Sequence, residues 1–243
     1  MKHSDPIRLP WLDLERPDQA FPPVNRALHQ PNGLLALGGD LSPVRLLNAY
    51  RRGIFPWYSA GEPILWWSPD PRCVFRPDSI HVSQSLLKAM KRNNYLVTLD
   101  RAFEVVIKAC AEPRAQQYGT WLSPEMITAY IRLHHEGWAH SVETWHDGRL
   151  IGGIYGVALG RAFFGESMFS RANNGSKLAL VWLARQLSAW KFCLLDGQVG
   201  TPHLYTLGAI DLPRDIFIQE LAGALTHPDR RGTWRFDIQA PTF

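Results

Sequence analysis

A chain of 243 residues can bury a substantial core, either as one large domain or as a small domain beside a medium one. Its 26 Lys and Arg against 22 Asp and Glu give a formal charge of +4, a mild bias toward anionic partners. The opening MKHSDPIRLPWLDLERPD lacks the apolar run of a signal peptide, no stretch approaches the ~18 apolar residues of a membrane span, and Cys73, Cys110 and Cys193 form no CxxC pair, so a soluble cytoplasmic protein without a disulfide framework or cysteine zinc site is expected.

Residues 1–40 are rich in proline and glycine and predict extended segments and turns rather than long helices. Ser42 reads as a helix cap with Pro43 in the first turn, and Val44, Leu46, Leu47 and Tyr50 form an amphipathic face until Gly53 stops the helix. In GIFPWYSAGEPILWWSPDPR, Trp57, Tyr58, Trp66 and Trp67 alternate with prolines, so these rings are expected to pack on another surface rather than to form an inner strand. A domain boundary is placed near Pro71. Ten tryptophans and 12% aromatic residues suit a core, stacking on bases or an apolar ligand pocket.

Beyond Pro71, SIHVSQSLLKAMKRNNY predicts a helix capped by Ser83, apolar at Leu86, Leu87 and Met90 and basic at Lys88, Lys91 and Arg92. That edge is either a solvated face or a track for phosphates. Helices are expected over 99–111 and over 123–136, the second opened by Ser123, Pro124 and Glu125. From Ala139 the period changes to that of three antiparallel strands, joined by turns at Asp147-Gly148 and Gly160-Arg161. Glycines 152, 153 and 156 weaken the second strand unless a backbone or ligand must come close. A helix over 177–190 with Leu180, Leu183, Ala184 and Leu187 on one side, a strand over 192–199 and a helix over 214–225 complete the chain.

Several motifs fail on spacing. His135 and His140 are five apart with Gly137 between them, which a zinc-protease helix does not allow. Phe169 stands where a nucleophile elbow after Gly165 needs its second glycine, which removes Ser167 as a nucleophile. Neither GxxxxGK[ST] nor GxGxxG occurs, and Cys193, in KFCLLD, reads as an inert residue of a buried strand. What stays is FFGESMFS followed by a helix and LLDGQ. Strand periodicity aims Asp196 and Gln198 one way and Glu166 and Met168 one way on the neighbouring strand. Such a carboxylate with an amide beside it orients an ammonium group or relays its proton; the alternative is a strand-end turn with solvated acids.

Taken together, PNGLLALGGDLSP, RRGIFPWYS, ILWWSPDPR, FFGESMFS, SKLAL and DGQVGTPHLYTLGA resemble, in order over residues 31–209, the bacterial leucyl/phenylalanyl-tRNA-protein transferases. The resemblance implies an α+β chain, with a small N-terminal domain (1–71) and a larger acetyltransferase-like (GNAT-like) domain (72–243) built on a mixed, mainly antiparallel sheet. It implies transfer of Leu or Phe, and less well Met, from aminoacyl-tRNA to an N-terminal Arg or Lys, marking the acceptor for N-end-rule degradation. No cofactor or metal is implied, and a monomer is expected. By motif position, Asp196, Gln198 and Glu166 become the catalytic set. Trp57, Trp121, Phe163, Met168, Ser167 and Ser170 shape the aminoacyl and adenosine pocket, and Lys88, Lys91 and Arg92 meet the tRNA. The family's DCQ is DGQ here, with Gly197 in the middle, and Thr206 replaces a common Ser. The alternatives are a non-enzymatic RNA-binding protein and an acetyltransferase-like enzyme with another acyl donor, the latter weakened because SRANNGS lacks a pyrophosphate-binding glycine pattern.

Overall fold

The computed structural model describes residues 9–92, 94–112 and 122–241. Ser42 accepts from the Arg45 amide at 3.3 Å with Pro43 behind it, so α1 (Pro43–Tyr50) starts as its sequence dictates, and Gly53 takes φ +70° after its end. Around it lies a four-stranded sheet of β1 (Trp11–Leu12), β2 (Leu34–Gly38), β3 (Phe55–Pro56) and β4 (Leu65–Trp67), ordered β1-β2-β4-β3, with β1 parallel to β2 and the other pairs antiparallel.

The expectation for the tryptophan-rich stretch holds for Trp57 and Tyr58, which lie outside the strands, and is overturned for the other two rings. Trp66 and Trp67 lie in β4, an inner strand between β2 and β3. Pro63 and Pro69 flank the three ladder residues instead of interrupting them, so no ladder donor is lost. Trp66 is fully buried, its indole donates to the Gly38 carbonyl at 2.8 Å, and Phe21 meets it edge-on at 4.9 Å.

A seven-stranded sheet holds β5 (Arg72–Phe75), β6 (Leu96–Leu99), β7 (Ala139–His146), β8 (Arg149–Leu159), β9 (Ala162–Ser170), β10 (Leu194–Gln198) and β11 (Ile210–Leu212) in the order β11-β5-β10-β9-β8-β7-β6. β9 and β10 are parallel and the remaining pairs antiparallel. Both hairpins form as the turn residues require: Asp147 and Gly148 adopt φ of 47° and 72°, and Gly160 adopts 53°. Gly152 answers the question raised by the glycines of β8, because a Cβ there would lie 2.3 Å from the Gly175 backbone. The close neighbour is the start of α5 (Gly175–Ala189), the crossover between the parallel strands.

Helices α2 (Gln84–Arg92), α4 (Pro124–His135), α6 (Pro202–Thr206) and α7 (Arg214–Ala224) complete the set with α3 (Phe103–Cys110). The last begins later than the sequence suggests. Leu96–Leu99 is instead the edge strand β6, and Asp100, at φ 54°, separates it from α3. Among the described residues the protein is thus a mixed α/β structure of two mixed sheets and seven α-helices, and no helix is long and apolar enough to cross a membrane.

The large sheet has a core on each face. One unites Val106, Tyr130, Tyr155, Phe164 and Phe217 with Leu46, Tyr50 and Trp66 around the small sheet. The other packs Leu180, Leu183, Ala184 and Leu187 of α5 against Phe163, Leu195 and Trp234, as the periodicity of α5 predicts.

Candidate active site

The register of β8 against β9 slips once: Tyr155 faces Ser167 and Gly156 faces Gly165, so Glu166 is the extra residue of a β-bulge. The bulge changes which way the strand's side chains point. Glu166 turns into the first core, where it is buried against Tyr50 of α1 and Tyr130 of α4. Met168 packs with the second core on the opposite face. The expectation that Glu166 and Met168 share a face is therefore corrected, because simple alternation does not survive an inserted residue.

Four oxygens meet here. Oε1 of Glu166 lies 2.8 Å from the Tyr50 hydroxyl, Oε2 lies 2.9 Å from that of Tyr130, and the two hydroxyls are 2.5 Å apart. Burial pushes the Glu166 carboxyl up to about 7, against the opposing hydrogen bonds of the tyrosines. Burial, and next the Glu166 charge, also raise both phenols well above their ordinary range. Tyr155 packs edge-on to Tyr130 at 5.6 Å, and its buried hydroxyl has no hydrogen-bond partner among the described residues.

A second bulge lies in β10, where Asp196 faces Val74 and Gln198 faces Cys73. Gln198 takes φ 61°, its amide N–H folds back onto Asp196 Oδ1 at 2.8 Å, and its side-chain Nε2 donates to Glu166 Oε1 at 2.7 Å. Asp196 itself has no exposed surface. Arg72 of β5 donates to both of its oxygens, from Nε at 2.8 Å and from Nη2 at 2.6 Å, and gives Nη1 to the Gly53 carbonyl at 2.9 Å. The guanidinium lies between Phe55 and Phe217, 4.8 and 4.6 Å from their ring centres. Such a bidentate pair fixes geometry as well as charge.

The other expected site residues are spread around this centre. Trp57 is 44% exposed, held at 5.9 Å from Trp67, whose indole donates to the Trp57 carbonyl at 2.6 Å. Ser167 is half-buried opposite Tyr155. Phe163 faces the second core, away from Glu166, and Ser170 accepts from the Ser176 amide at 2.9 Å in the first turn of α5. Trp121 lies outside the described residues. Lys88, Lys91 and Arg92 lie on α2, and Lys88 and Arg92 border a cleft of about 500 Å³ with Asn94, His146 and Asn173. Arg171, Lys177 and His203 line an adjoining cleft.

Cys193 needs correction: it precedes β10 and is exposed rather than part of a buried strand, and its thiol is raised chiefly by desolvation. His140 makes its contact at Nδ1 with Asp100 at 2.9 Å and stacks on Trp234 at 3.6 Å. The sequence expectations leave out Arg72 and Tyr130 and give Tyr50 only a place on the apolar face of α1. Their signal is a hydrogen-bonding side chain inside an apolar run: an arginine opening RCVF, and tyrosines on the buried stripes of α1 and α4, each needing an internal partner.

Comparison with known proteins agrees along most of the chain. Residues 74–222 match the family model described as leucyl/phenylalanyl-tRNA protein transferase, and residues 39–70 match that of its N-terminal domain. A leucyl/phenylalanyl-tRNA–protein transferase of Alkalilimnicola ehrlichii is 57% identical over 95% of this chain and 90% of its own length. Those of Nitrosospira multiformis and Nitrosomonas europaea are 55% and 56% identical, over 94% and 92% of this chain and 97% and 95% of theirs. Among solved structures, L-PGS of Bacillus licheniformis aligns with 82% of this chain and 66% of its own at 10% identity and a TM-score of 0.37.

Proposed function

The chain belongs to the leucyl/phenylalanyl-tRNA protein transferase family, and on that premise we propose that the Glu166–Gln198 centre is where the ester of a charged tRNA meets the N-terminal Arg or Lys of an acceptor protein. The enzyme is an aminoacyltransferase, moving an amino acid from tRNA to a protein N-terminus. Leu and Phe, with Met less favoured, are the donors in this reading, N-end-rule degradation is the fate of the product, and a cytoplasmic monomer is the working form. Residues 1–71 serve as the N-terminal unit and 72–243 as an acetyltransferase-like catalytic unit, a division supported by where the two family models meet. One core nevertheless runs across it, so the units act as one body.

The observation that carries the reading is the Gln198 amide, fixed by Glu166 at its nitrogen and by Asp196 at its backbone. With Nε2 committed inward, the amide oxygen is left to accept an N–H from the acceptor's α-amine. That amine, with an ordinary pKa of about 7.7 to 8.0, has a useful neutral fraction near pH 7, so orientation matters more than a strong base. Asp196, held by three hydrogen bonds from Arg72 and the Gln198 amide, positions Gln198 rather than taking the proton. The amine attacks the ester carbonyl, the new amide bond forms as the ribose oxygen leaves, and the amine's proton passes to that oxygen.

In this reading Trp57 offers an exposed ring to the terminal adenine, Trp121, Ser167 and Ser170 line the donor pocket, and Phe163 and Met168, on the face of the large sheet opposite Glu166, back its wall. Lys88, Lys91 and Arg92 contact tRNA phosphates, a role supported by the neighbouring cleft with Arg171 and Lys177.

Labelled Leu-tRNA incubated with a peptide beginning with Arg should transfer its label to the peptide. Gln198→Ala should lower that turnover by about 10²-fold, the scale of a misplaced reactant, while charged-tRNA binding stays nearly constant. Tight RNA binding with no transfer, or equal losses of turnover and binding, would reject the assignment.

A further inference from the structure

The hydrogen bonds around Glu166 impose a count of protons. Glu166 Oε1, the Tyr50 hydroxyl, the Tyr130 hydroxyl and Glu166 Oε2 are joined in turn across 2.8, 2.5 and 2.9 Å. Oxygens at these separations share a hydrogen. Two phenols bring two hydrogens, and an ionised carboxylate brings none. With Glu166 ionised, two hydrogens must serve three contacts: if both phenols donate to it they face each other across 2.5 Å with lone pairs only, and if one phenol donates to the other, a carboxylate oxygen faces a hydroxyl oxygen with no hydrogen between them. A hydrogen on Glu166 supplies the missing third.

The direction is also fixed. Gln198 Nε2 donates to Oε1, which makes Oε1 the carbonyl oxygen and puts the acid hydrogen on Oε2. Oε2–H then donates to Tyr130, Tyr130 to Tyr50, and Tyr50 back to Oε1. We propose that Tyr50, Tyr130 and the protonated form of Glu166 make a closed, one-way hydrogen-bond ring that holds the Gln198 amide nitrogen inward and keeps the centre free of net charge. Tyr50 and Tyr130 are positioning residues in this arrangement.

The absence of charge has a chemical use. A free carboxylate beside the acceptor would stabilise its ammonium form, which has no lone pair for attack; a neutral acid does not. The groups facing Glu166 support this balance. Tyr50 comes from α1, Tyr130 from α4, Tyr155 from β8 and Gln198 from β10, and Asp196, a carboxylate whose field reaches it, is matched by Arg72 of β5. Burial favours the same form. The role in transfer rests on the reading above, whereas the protonation stands on the ring itself.

Infrared spectra of the full chain carrying carboxyl-¹³C glutamate should show, at pH 6, a protonated-carboxyl band that Glu166→Gln removes and that fades as the pH passes about 7. If that variant does not fold, Glu143→Gln removes the other buried acid with a raised midpoint, and the band that remains is assigned to Glu166. A Glu166 already ionised at pH 6 overturns the proposal. Glutamine reproduces the donor and acceptor pattern of the neutral acid, so the turnover ratio of Glu166→Gln to the unaltered enzyme should rise with pH through about 7. A ratio that falls would make the ionised form the active one and reject the proposal. Tyr130→Phe should lower kcat more than it raises KM for charged tRNA; the reverse would also count against it. Retention of the band in a protein that transfers no amino acid would sink the functional assignment and leave the ring intact.

Discussion

Arg72 and Asp196 are each fully buried, and each is the other's main compensation. Removing one partner of such a pair leaves an unbalanced charge in the interior, at a cost of about 3–5 kcal/mol. Arg72→Met should therefore lower the unfolding free energy in urea by that amount, although Met fits between Phe55 and Phe217; a loss under about 1 kcal/mol would mean that Asp196 has other support. Glu143 poses a different case. Fully buried and hydrogen-bonded to Ser141, Thr98 and the Ala102 amide, it is raised from 4.5 to about 7, first by desolvation. Because its folded pKa lies above its unfolded one, the stability it adds is complete below pH 4.5 and is lost as the pH rises through 7. The full effect is on the order of 3 kcal/mol. The stability of the unaltered protein relative to Glu143→Gln, followed by urea denaturation from pH 4 to 8, should fall across that window. A flat difference would place Glu143 among ordinary carboxylates.

At the scale of elements, two bulged strands carry the site, and glycines beside the bulges set the spacing. A Cβ on Gly156 would fall 2.1 Å from the Phe164 carbonyl and 2.5 Å from the Phe163 ring, beside the bulge that turns Glu166 inward. Gly156→Ala should cost about 1–3 kcal/mol by forcing β8 from β9, and should lower kcat as Glu166 moves. Retained stability with unchanged kcat would show that the bulge yields freely. Gly197 differs: a Cβ there meets its nearest atoms at 3.4 and 3.5 Å, ordinary van der Waals contact, so the backbone tolerates a side chain's first carbon at this position. These features also explain how far the sequence is legible. The hairpins, the caps of α1 and α4 and the buried stripe of α5 follow from local periodicity and turn chemistry, which a sequence displays directly. The bulges at Glu166 and Asp196–Gln198 arise from the register between strands, which no single strand encodes, so alternation alone misplaces Met168. Likewise, β6 is four residues long and gains its identity only by pairing with β7. The basic helix α2 is legible as a pattern, and its role is measurable. Replacing Lys88, Lys91 and Arg92 with Ala should weaken tRNA binding and reduce its salt slope by roughly 0.7–0.9 for each phosphate that the helix no longer neutralises. An unaltered slope would make α2 a solvated face.

The molecule as a whole is closed by a segment without regular structure. Residues 228–241 form neither helix nor strand, yet they span the face of the large sheet opposite Glu166. Trp234 is 3% exposed; its amide donates to Asp100 at 2.6 Å, and its ring stacks on His140 at 3.6 Å and meets Trp190 edge-on at 4.8 Å. Further along, Asp237 accepts from Gln186 at 2.5 Å and from Trp190 at 2.6 Å, and the Pro241 carbonyl accepts from the Val97 amide at 2.6 Å. Val97 lies in β6, the outer strand, so the segment also occupies an edge that could otherwise pair with another chain. The two contributions separate by variant. Trp234→Ala empties a packed aromatic site while leaving the backbone over β6, and should cost about 3–5 kcal/mol in urea denaturation. A chain ending at Pro228 loses that packing and also uncovers the edge, so light scattering on warming should grow with its concentration well beyond that of Trp234→Ala compared at equal folded fraction. Equal scattering from both variants would mean that buried apolar area, rather than coverage of β6, is what this segment contributes to keeping the molecules apart.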